Sequence, residues 1–428
     1  MLIFSDLPAL VKVSLAFGLI LATHRLKIHL SLGLFLGGVV LGLLMDLWPS
    51  VILTTVLKSL ANSMVFSLLM IVALILVLSR LMSDSGQLDR MVTSFTKVTH
   101  NARIVTAVMP AMIGLLPMPG GALFSAPMVQ AVSQESELDA NLKTAINYWF
   151  RHIWEYWWPL YPGVILAVGL LEVQTWRFIM FQSPLTLFAI GAGFIFLLRR
   201  IPKVNPSGRK RNDNSNAWRV FLKEVSPILL VVLAVPGVAL IELSTGLHLP
   251  PLTSVFLGLV LGLAWVIGQN RIPAGQVLRA VMNRSIPPML FLILGIMAFK
   301  GVLVESRAVD QIHAEMIQYG IPPLLVVLLM PFLSGFITGI SIGFVGASFP
   351  LIVPLLAHYQ GMDYMAHAFL AYAFGFMGMM LSPVHLCFLV TRDYFNANML
   401  KCYNLLAGPA AVFLLCTLLF FGFFQMIN

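Results

Sequence analysis

Residues Met109–Pro127 read MPAMIGLLPMPGGALFSAP, and the reading of that stretch decides the fold. Its centre, Pro117-Met118-Pro119-Gly120-Gly121, lies among membrane-type apolar sequence but cannot continue an α-helix. Two prolines remove amide donors, and two glycines favour open backbone. The apolar runs on either side, about a dozen residues each, are too short to cross a bilayer. Two readings are open: one kinked transmembrane helix, or a re-entrant hairpin that enters, breaks and returns on the same side. Irregular backbone at that depth survives only where protein or a wet cavity surrounds it.

The pattern occurs twice. Residues Met330–Pro350, MPFLSGFITGISIGFVGASFP, follow at an offset of 221, with Gly335 under Gly114 and Ala347 under Ala126. The second break is Thr338-Gly339-Ile340-Ser341-Ile342-Gly343. At the same offset of 221, Phe35-Leu36-Gly37 meets Phe256-Leu257-Gly258, Asn62 meets Asn283, Asp84-Ser85 meets Glu305-Ser306 and Asp89 meets Asp310. After the second break the offset becomes 224, which sets Tyr148 on Tyr372, Phe150 on Phe374 and Pro159 on Pro383. Polar residues in register are not explained by apolar composition, so the halves read as structural repeats. Interrupted segments in corresponding positions of two halves are the sequence mark of a transporter's binding site.

Composition fixes the class. Of 428 residues, 59% are hydrophobic and 10% charged, and the mean hydropathy is +0.93, a balance that excludes a soluble domain. The net charge of +9 gathers most clearly in Arg199, Arg200, Lys203, Arg209, Lys210 and Arg211, a cytoplasmic-loop signal rather than a nucleic-acid one. Cys387, Cys402 and Cys416 have neither disulfide nor zinc-type spacing. The N-terminus lacks a basic region before its apolar run, which argues against a cleaved signal peptide.

Apolar segments give five crossings per half. They predict an all-α membrane protein of two inverted repeats, over 1–200 and 221–428, joined by a linker at 201–220. Each repeat carries one re-entrant hairpin, at 102–131 and 322–357. Ser83–His100 reads as an interfacial helix, and Glu135 or Asp139 as a helix-start acid. An odd number of crossings inverts the second half. With both termini extracytoplasmic, Arg25/Lys27, the linker and Arg392/Lys401 fall inside, as the positive-inside rule requires of a multi-pass inner (cytoplasmic) membrane protein.

The candidate site residues follow from this layout. Half-helices starting at Pro119, Gly120 and Gly121, and near Ser341 and Gly343, aim unpaired amides at the membrane midplane and attract anions. Ser125, Thr338, Ser341 and Ser348 can add hydroxyl donors, and carbonyls freed around Gly339 can hold sodium. Close packing of small residues is the plainer reading of the same glycines. The next span, NYWFRHIWEYWWPLYP, is interrupted at Pro159 and Pro162 and holds Arg151, His152 and Glu155. Ionisable residues there are functional candidates, although Arg151 and Glu155, four apart, can also simply pair on one helix face. His152 and Glu155 have ligand-type spacing but no further ligand cluster, so no metal is assigned. Trp154, Trp157 and Trp158 read as an interfacial belt, and Lys300 as snorkelling outward. In the mirror segment, GMMLSPVHLCFLVTRDYF, Ser382-Pro383 breaks the helix. His385 beyond it reads as a coupling residue or as a structural cap.

The two hairpins, the broken span after each and the inverted halves resemble the ion transporter superfamily, which includes the divalent anion:sodium symporters and gluconate permeases. The stretches MPAMIGLLPMPGGALFSAPMV and GMMLSPVHLCFLVTRDYF look like an uncharacterised bacterial and archaeal membrane-protein family within it. The resemblance covers nearly the whole chain and implies an elevator mechanism, a homodimer, an anionic substrate, and sodium or proton coupling. The symporters carry Ser-Asn-Thr motifs at their hairpin tips, whereas these tips read Pro-Met-Pro-Gly-Gly and Thr-Gly-Ile-Ser. Dicarboxylate specificity is therefore not carried over.

The expectation is a secondary transporter of a small, organic anion coupled to Na+ or H+, with no other cofactor and no enzyme activity. A cation/proton antiporter using Glu155 and His385 is the first alternative. An intramembrane hydrolase using His152, Glu155 or His385 is the second, marked by a metal or a nucleophile beside them. No P-loop, nucleophile elbow or zinc signature is present.

Overall fold

The structure is a computed structural model that describes residues 7–98, 102–118, 121–133, 138–201 and 215–427. Among the described residues there is no β-strand. The first half runs α1 (Ala9–Arg25), α2 (Leu30–Leu44), α3 (Pro49–Leu60), α4 (Ser63–Asp84), α5 (Gln87–Val98), α6 (Ala102–Ile113), α7 (Ala122–Ser133), α8 (Ala140–Arg151), α9 (Pro162–Leu171), α10 (Thr175–Gln182) and α11 (Leu185–Phe196). The second runs α12 (Ser215–Thr245), α13 (Thr253–Asn270), α14 (Ala274–Val281), α15 (Ile286–Glu305), α16 (Ala308–Tyr319), α17 (Pro323–Thr338), α18 (Ser341–Leu356), α19 (Gly361–Met380), α20 (Leu386–Phe395) and α21 (Met399–Ile427).

Local chemistry sets several boundaries. Asn62 accepts from the Met64 amide and opens α4. Asp139 accepts from the amides of Asn141 and Leu142 and opens α8, while Glu135 lies outside the described residues. The carboxylate of Glu315 takes the orphan amides of Ala9 and Leu10 at 2.6 and 2.8 Å, so α16 caps α1 from across the fold. Helix α5 forms as expected of an interfacial element. It docks on α12 through Arg90–Glu224 at 3.1 Å and through Gln87, which donates to the Glu224 carbonyl at 2.8 Å.

Among the described residues, six helical segments are long and apolar enough to cross a membrane: Ser63–Asp84, Thr175–Arg200, Asn216–Thr245, Thr253–Asn270, Ile286–Glu305 and Met399–Met426. Only 22% of the apolar window of Asn216–Thr245 is buried, and Leu233, Leu240 and Leu243 point outward, as a lipid-facing helix requires. The chain is a multi-pass membrane protein. Helices α1 and α2, with 17 and 15 residues, fall short of a full crossing by length alone.

Both diagnostic stretches are broken. Helix α6 ends at Ile113, α7 begins at Ala122, and the two pack against each other. Helix α17 ends at Thr338, Gly339 takes a left-handed φ of 66°, and α18 starts at Ser341 and packs back on α17. The kinked-rod reading fails for both, since neither stretch continues as one helix.

The spans that follow are broken too. Residues 152–161 leave the helix between α8 and α9, and residues 381–385 do so between α19 and α20. The first interruption starts at His152 rather than at the expected Pro159. Pro159 and Pro162 cannot donate to the carbonyls of Glu155 and Trp158, so the last turns before them lose their bonds and unwind. The packing is reciprocal: α7 lies against α20, α18 against α9, and α8 against α20.

Candidate functional site

Arg151 is the last residue of α8, so its side chain and those of His152 and Glu155 stand at a helix break rather than along a helix face. All three are buried, at 3%, 3% and 8% exposure. The expected Arg151–Glu155 pair does not form. One turn of helix would bring them together, but the chain has left the helix by Glu155. Arg151 Nη2 instead donates to the Met118 carbonyl of the first tip at 3.2 Å. Its Nη1 has no hydrogen bond, and the guanidinium makes no ion pair among the described residues. A Cβ added at Gly121 would collide with that guanidinium, so the glycine is what lets the charge reach the tip. Pro119 and Gly120 lie outside the described residues.

Glu155 turns the other way. Its Oε2 is 3.7 Å from His152 Nε2, and its carboxylate is within reach of the Ser341 hydroxyl at the second tip. The residues between α8 and α9 therefore face both tips. His152 Nδ1 sits 2.7 Å from the Tyr148 carbonyl, so that nitrogen carries the proton and Nε2 is bare. The bare Nε2 lies 3.1 Å from His385 Nε2, across the contact between α8 and α20. Cys387 completes the group: donor atoms of His152, His385 and Cys387 lie within 4.8 Å of one another. The thiol also borders Arg151.

The remaining candidates divide. Thr338 donates to the Ser334 carbonyl at 2.7 Å, Ser348 to Phe344 at 2.6 Å, and Ser125 to Ala122 at 3.5 Å, so their protons are used within their own helices. A Cβ at Gly343 would crowd Thr338, and Gly339 lies against the backbone of His385. Ser382 donates to the Phe336 carbonyl at 2.7 Å and props the second hairpin.

The tryptophans are not a belt. Trp154 donates to the Ala111 carbonyl at 2.9 Å, Trp158 to Leu115 at 3.0 Å, and Trp157 to the Thr186 hydroxyl at 2.7 Å. With Tyr161, which donates to the Gly114 carbonyl at 2.5 Å, Trp154 and Trp158 satisfy carbonyls that the first break exposes. Lys300 does not reach for solvent alone; it approaches Glu172 at 3.4 Å.

Two contacts recur at corresponding positions of the halves, and a third does so with its acceptor one residue out of register. Trp158 bonds the carbonyl of residue 115, and Ser382 that of residue 336. A Cβ on Gly114 would strike the Arg151 carbonyl, and one on Gly335 the Gly375 carbonyl. Tyr148 donates to the Met380 carbonyl at 2.9 Å, and Tyr372 to the Glu155 carbonyl at 3.4 Å, each reaching across to the other half.

A cavity of about 520 Å³ lies beside the second tip, lined by His24, Arg25, Lys27 and His29 together with Ile337, Ile340 and Val384. No signal in the sequence joined that loop to the second hairpin.

A family model described as "Protein of unknown function (DUF401)" matches residues 9–423, nearly the whole chain. The chain belongs to that family. Among curated proteins none matches.

Proposed function

We propose that this protein is a secondary transporter of a small organic anion, and that the anion binds at Arg151 between the two hairpin tips. The observation that carries the reading is the buried guanidinium, whose Nη1 has no hydrogen bond and which makes no ion pair among the described residues, Glu155 being turned to His152. An uncompensated cation in the membrane interior costs several kcal/mol, and a transported anion offsets that cost each time it binds. The basic residues around the cavity at the second tip support the sign of the substrate.

The recurring contacts and the reciprocal packing of α7 on α20 and α18 on α9 support the inverted-repeat reading. On that reading α1, α2 and the two broken pairs complete ten crossings, with both termini outside the inner membrane. Lys27 and Arg25 then lie in the cytoplasm, and the cavity is the cytoplasmic vestibule of an inward-facing state. The hairpins with α8–α9 and α19–α20 form the moving body of an elevator, carried by a homodimer and coupled to sodium or protons.

One observation favours a second reading, an intramembrane hydrolase: the Cys387 thiol stands beside the His152 ring. Alkylating Cys387 separates the two. A hydrolase loses all peptide or ester cleavage, whereas a transporter shows no cleavage to lose. The primary test is uptake by proteoliposomes across a panel of carboxylates and oxyanions under sodium and proton gradients. Accumulation of one class, lost in Arg151→Gln, meets the expectation. Lack of accumulation for the whole panel overturns it.

A further inference from the structure

We propose that His152, His385 and Cys387 form a binding site for a transition-metal ion of the zinc class, at the junction of α8 with α20. The sequence hides it, because His385 and Cys387 lie more than two hundred residues after His152 and share no ligand-type spacing with it. Folding brings them together. The helix break at residues 152–161 and the one at residues 381–385 each free a short segment, and the two segments face each other.

The geometry suits an ion as well as the imidazole–imidazole hydrogen bond that the ion would replace. In a tetrahedral site with metal–nitrogen bonds of about 2.05 Å, two nitrogens stand about 3.3 Å apart. The two Nε2 atoms are 3.1 Å apart. His152 Nδ1 is held by the Tyr148 carbonyl at 2.7 Å, the outer hydrogen bond that orients a metal-binding imidazole and leaves its Nε2 lone pair free. Cys387 Sγ lies within 4.8 Å of the ligand nitrogens of both rings, a third donor on the same side. Glu155, its Oε2 3.7 Å from His152 Nε2, is the nearest carboxylate for a fourth position.

The charges also balance. A divalent ion meets one thiolate and one carboxylate, so the ligand set is neutral in a medium that penalises net charge. Binding displaces the Cys387 proton, which leaves to water. Two imidazoles, a thiolate and a carboxylate are borderline-soft donors, suited to zinc, cobalt or copper rather than to magnesium or calcium. The ion would clamp the two halves together beside Arg151, and its presence does not depend on what Arg151 binds.

The test uses full-length protein purified in detergent without a metal-affinity step. Its metal content is measured by plasma mass spectrometry after a chelator wash. The ion is then stripped with a strong chelator at low pH, and the metal-free protein is titrated with Co2+ and followed by absorbance. About one zinc-class ion per chain, and a thiolate-to-cobalt charge-transfer band on titration, are expected. Cys387→Ser removes that band, His385→Gln weakens cobalt binding by more than about a hundredfold, and Cys402→Ser leaves both intact. Wild-type protein that holds no ion and gives no thiolate band overturns the proposal, as does a band that survives in Cys387→Ser. The wild-type result decides even if a variant fails to fold. A positive metal result with no anion uptake would leave this site standing and the transport reading refuted.

Discussion

The two interrupted helix pairs, α8–α9 and α19–α20, are built alike and equipped differently. Each ends against its hairpin through a glycine that admits backbone contact, Gly114 in one case and Gly335 in the other. Each props that hairpin from the residue before its proline, Trp158 or Ser382. Yet where the first pair places Arg151, His152 and Glu155, the register of 224 places Gly375, Phe376 and Met379 in the second. The supporting contacts recur and the chemistry does not. A pair of equal sites would bring two like charges together near the midplane; one charged break against one apolar break does not. The second pair supplies its polar groups later, at His385 and Cys387, where they meet the first pair's histidine.

The comparison breaks most severely at the glycines. Gly114→Ala and Gly335→Ala drive a Cβ into a carbonyl of the adjoining helix, in each case backbone that cannot step aside. Each should cost about 3 kcal/mol or more and sharply reduce the yield of folded protein, measured by size-exclusion chromatography. Equal losses in both support matched scaffolds; a silent Gly335→Ala breaks the match.

Arg151→Gln should act on one side only. Uptake is expected to fall by about a hundredfold or more, equivalent to about 2.7 kcal/mol. The melting temperature should hold or rise, because the change removes an unpaired buried charge. Gly375→Ala, at the corresponding place, drives a Cβ into the ring of Phe344, which must shift, but removes no charge and should leave a larger share of uptake.

Smaller effects test the props. Trp158→Phe and Ser382→Ala each strand a carbonyl that was bonded, at Leu115 and Phe336 respectively, for about 1–3 kcal/mol of stability in thermal melts. Smallest is the tyrosine pair. Tyr148→Phe should cost about 1 kcal/mol, and Tyr372→Phe less, since its bond is 3.4 Å against 2.9 Å.

Much of this architecture was legible in the chain. Pro117 and Gly121 announce the first break, and Gly339 the second, because these residues act on the backbone locally. The offsets of 221 and 224 set Pro159 on Pro383 and Gly114 under Gly335, residues whose neighbourhoods resemble each other, but they named no contact. What stayed hidden depends on where the chain goes next. The spacing of Arg151 and Glu155 implied a pair only on the premise of intact helix, and the prolines at 159 and 162 unwind it. The tryptophans resembled a belt because composition cannot tell a ring at the lipid boundary from one bonded to a carbonyl inside. Cys387 had no clear local signal, since beyond His385 its partner, His152, arrives from the other half of the molecule. Likewise His24 and Arg25 read as topological charge, and only the fold sets them beside the second tip.

The most direct test of the central claim is gradient-driven anion uptake by proteoliposomes carrying wild-type protein or Arg151→Gln, with both shown to be folded. The account predicts that a carboxylate or oxyanion accumulates with wild-type protein and that the variant loses about a hundredfold of that rate. Uptake that is unchanged in Arg151→Gln, or accumulation of no anion by the wild-type protein, would contradict it.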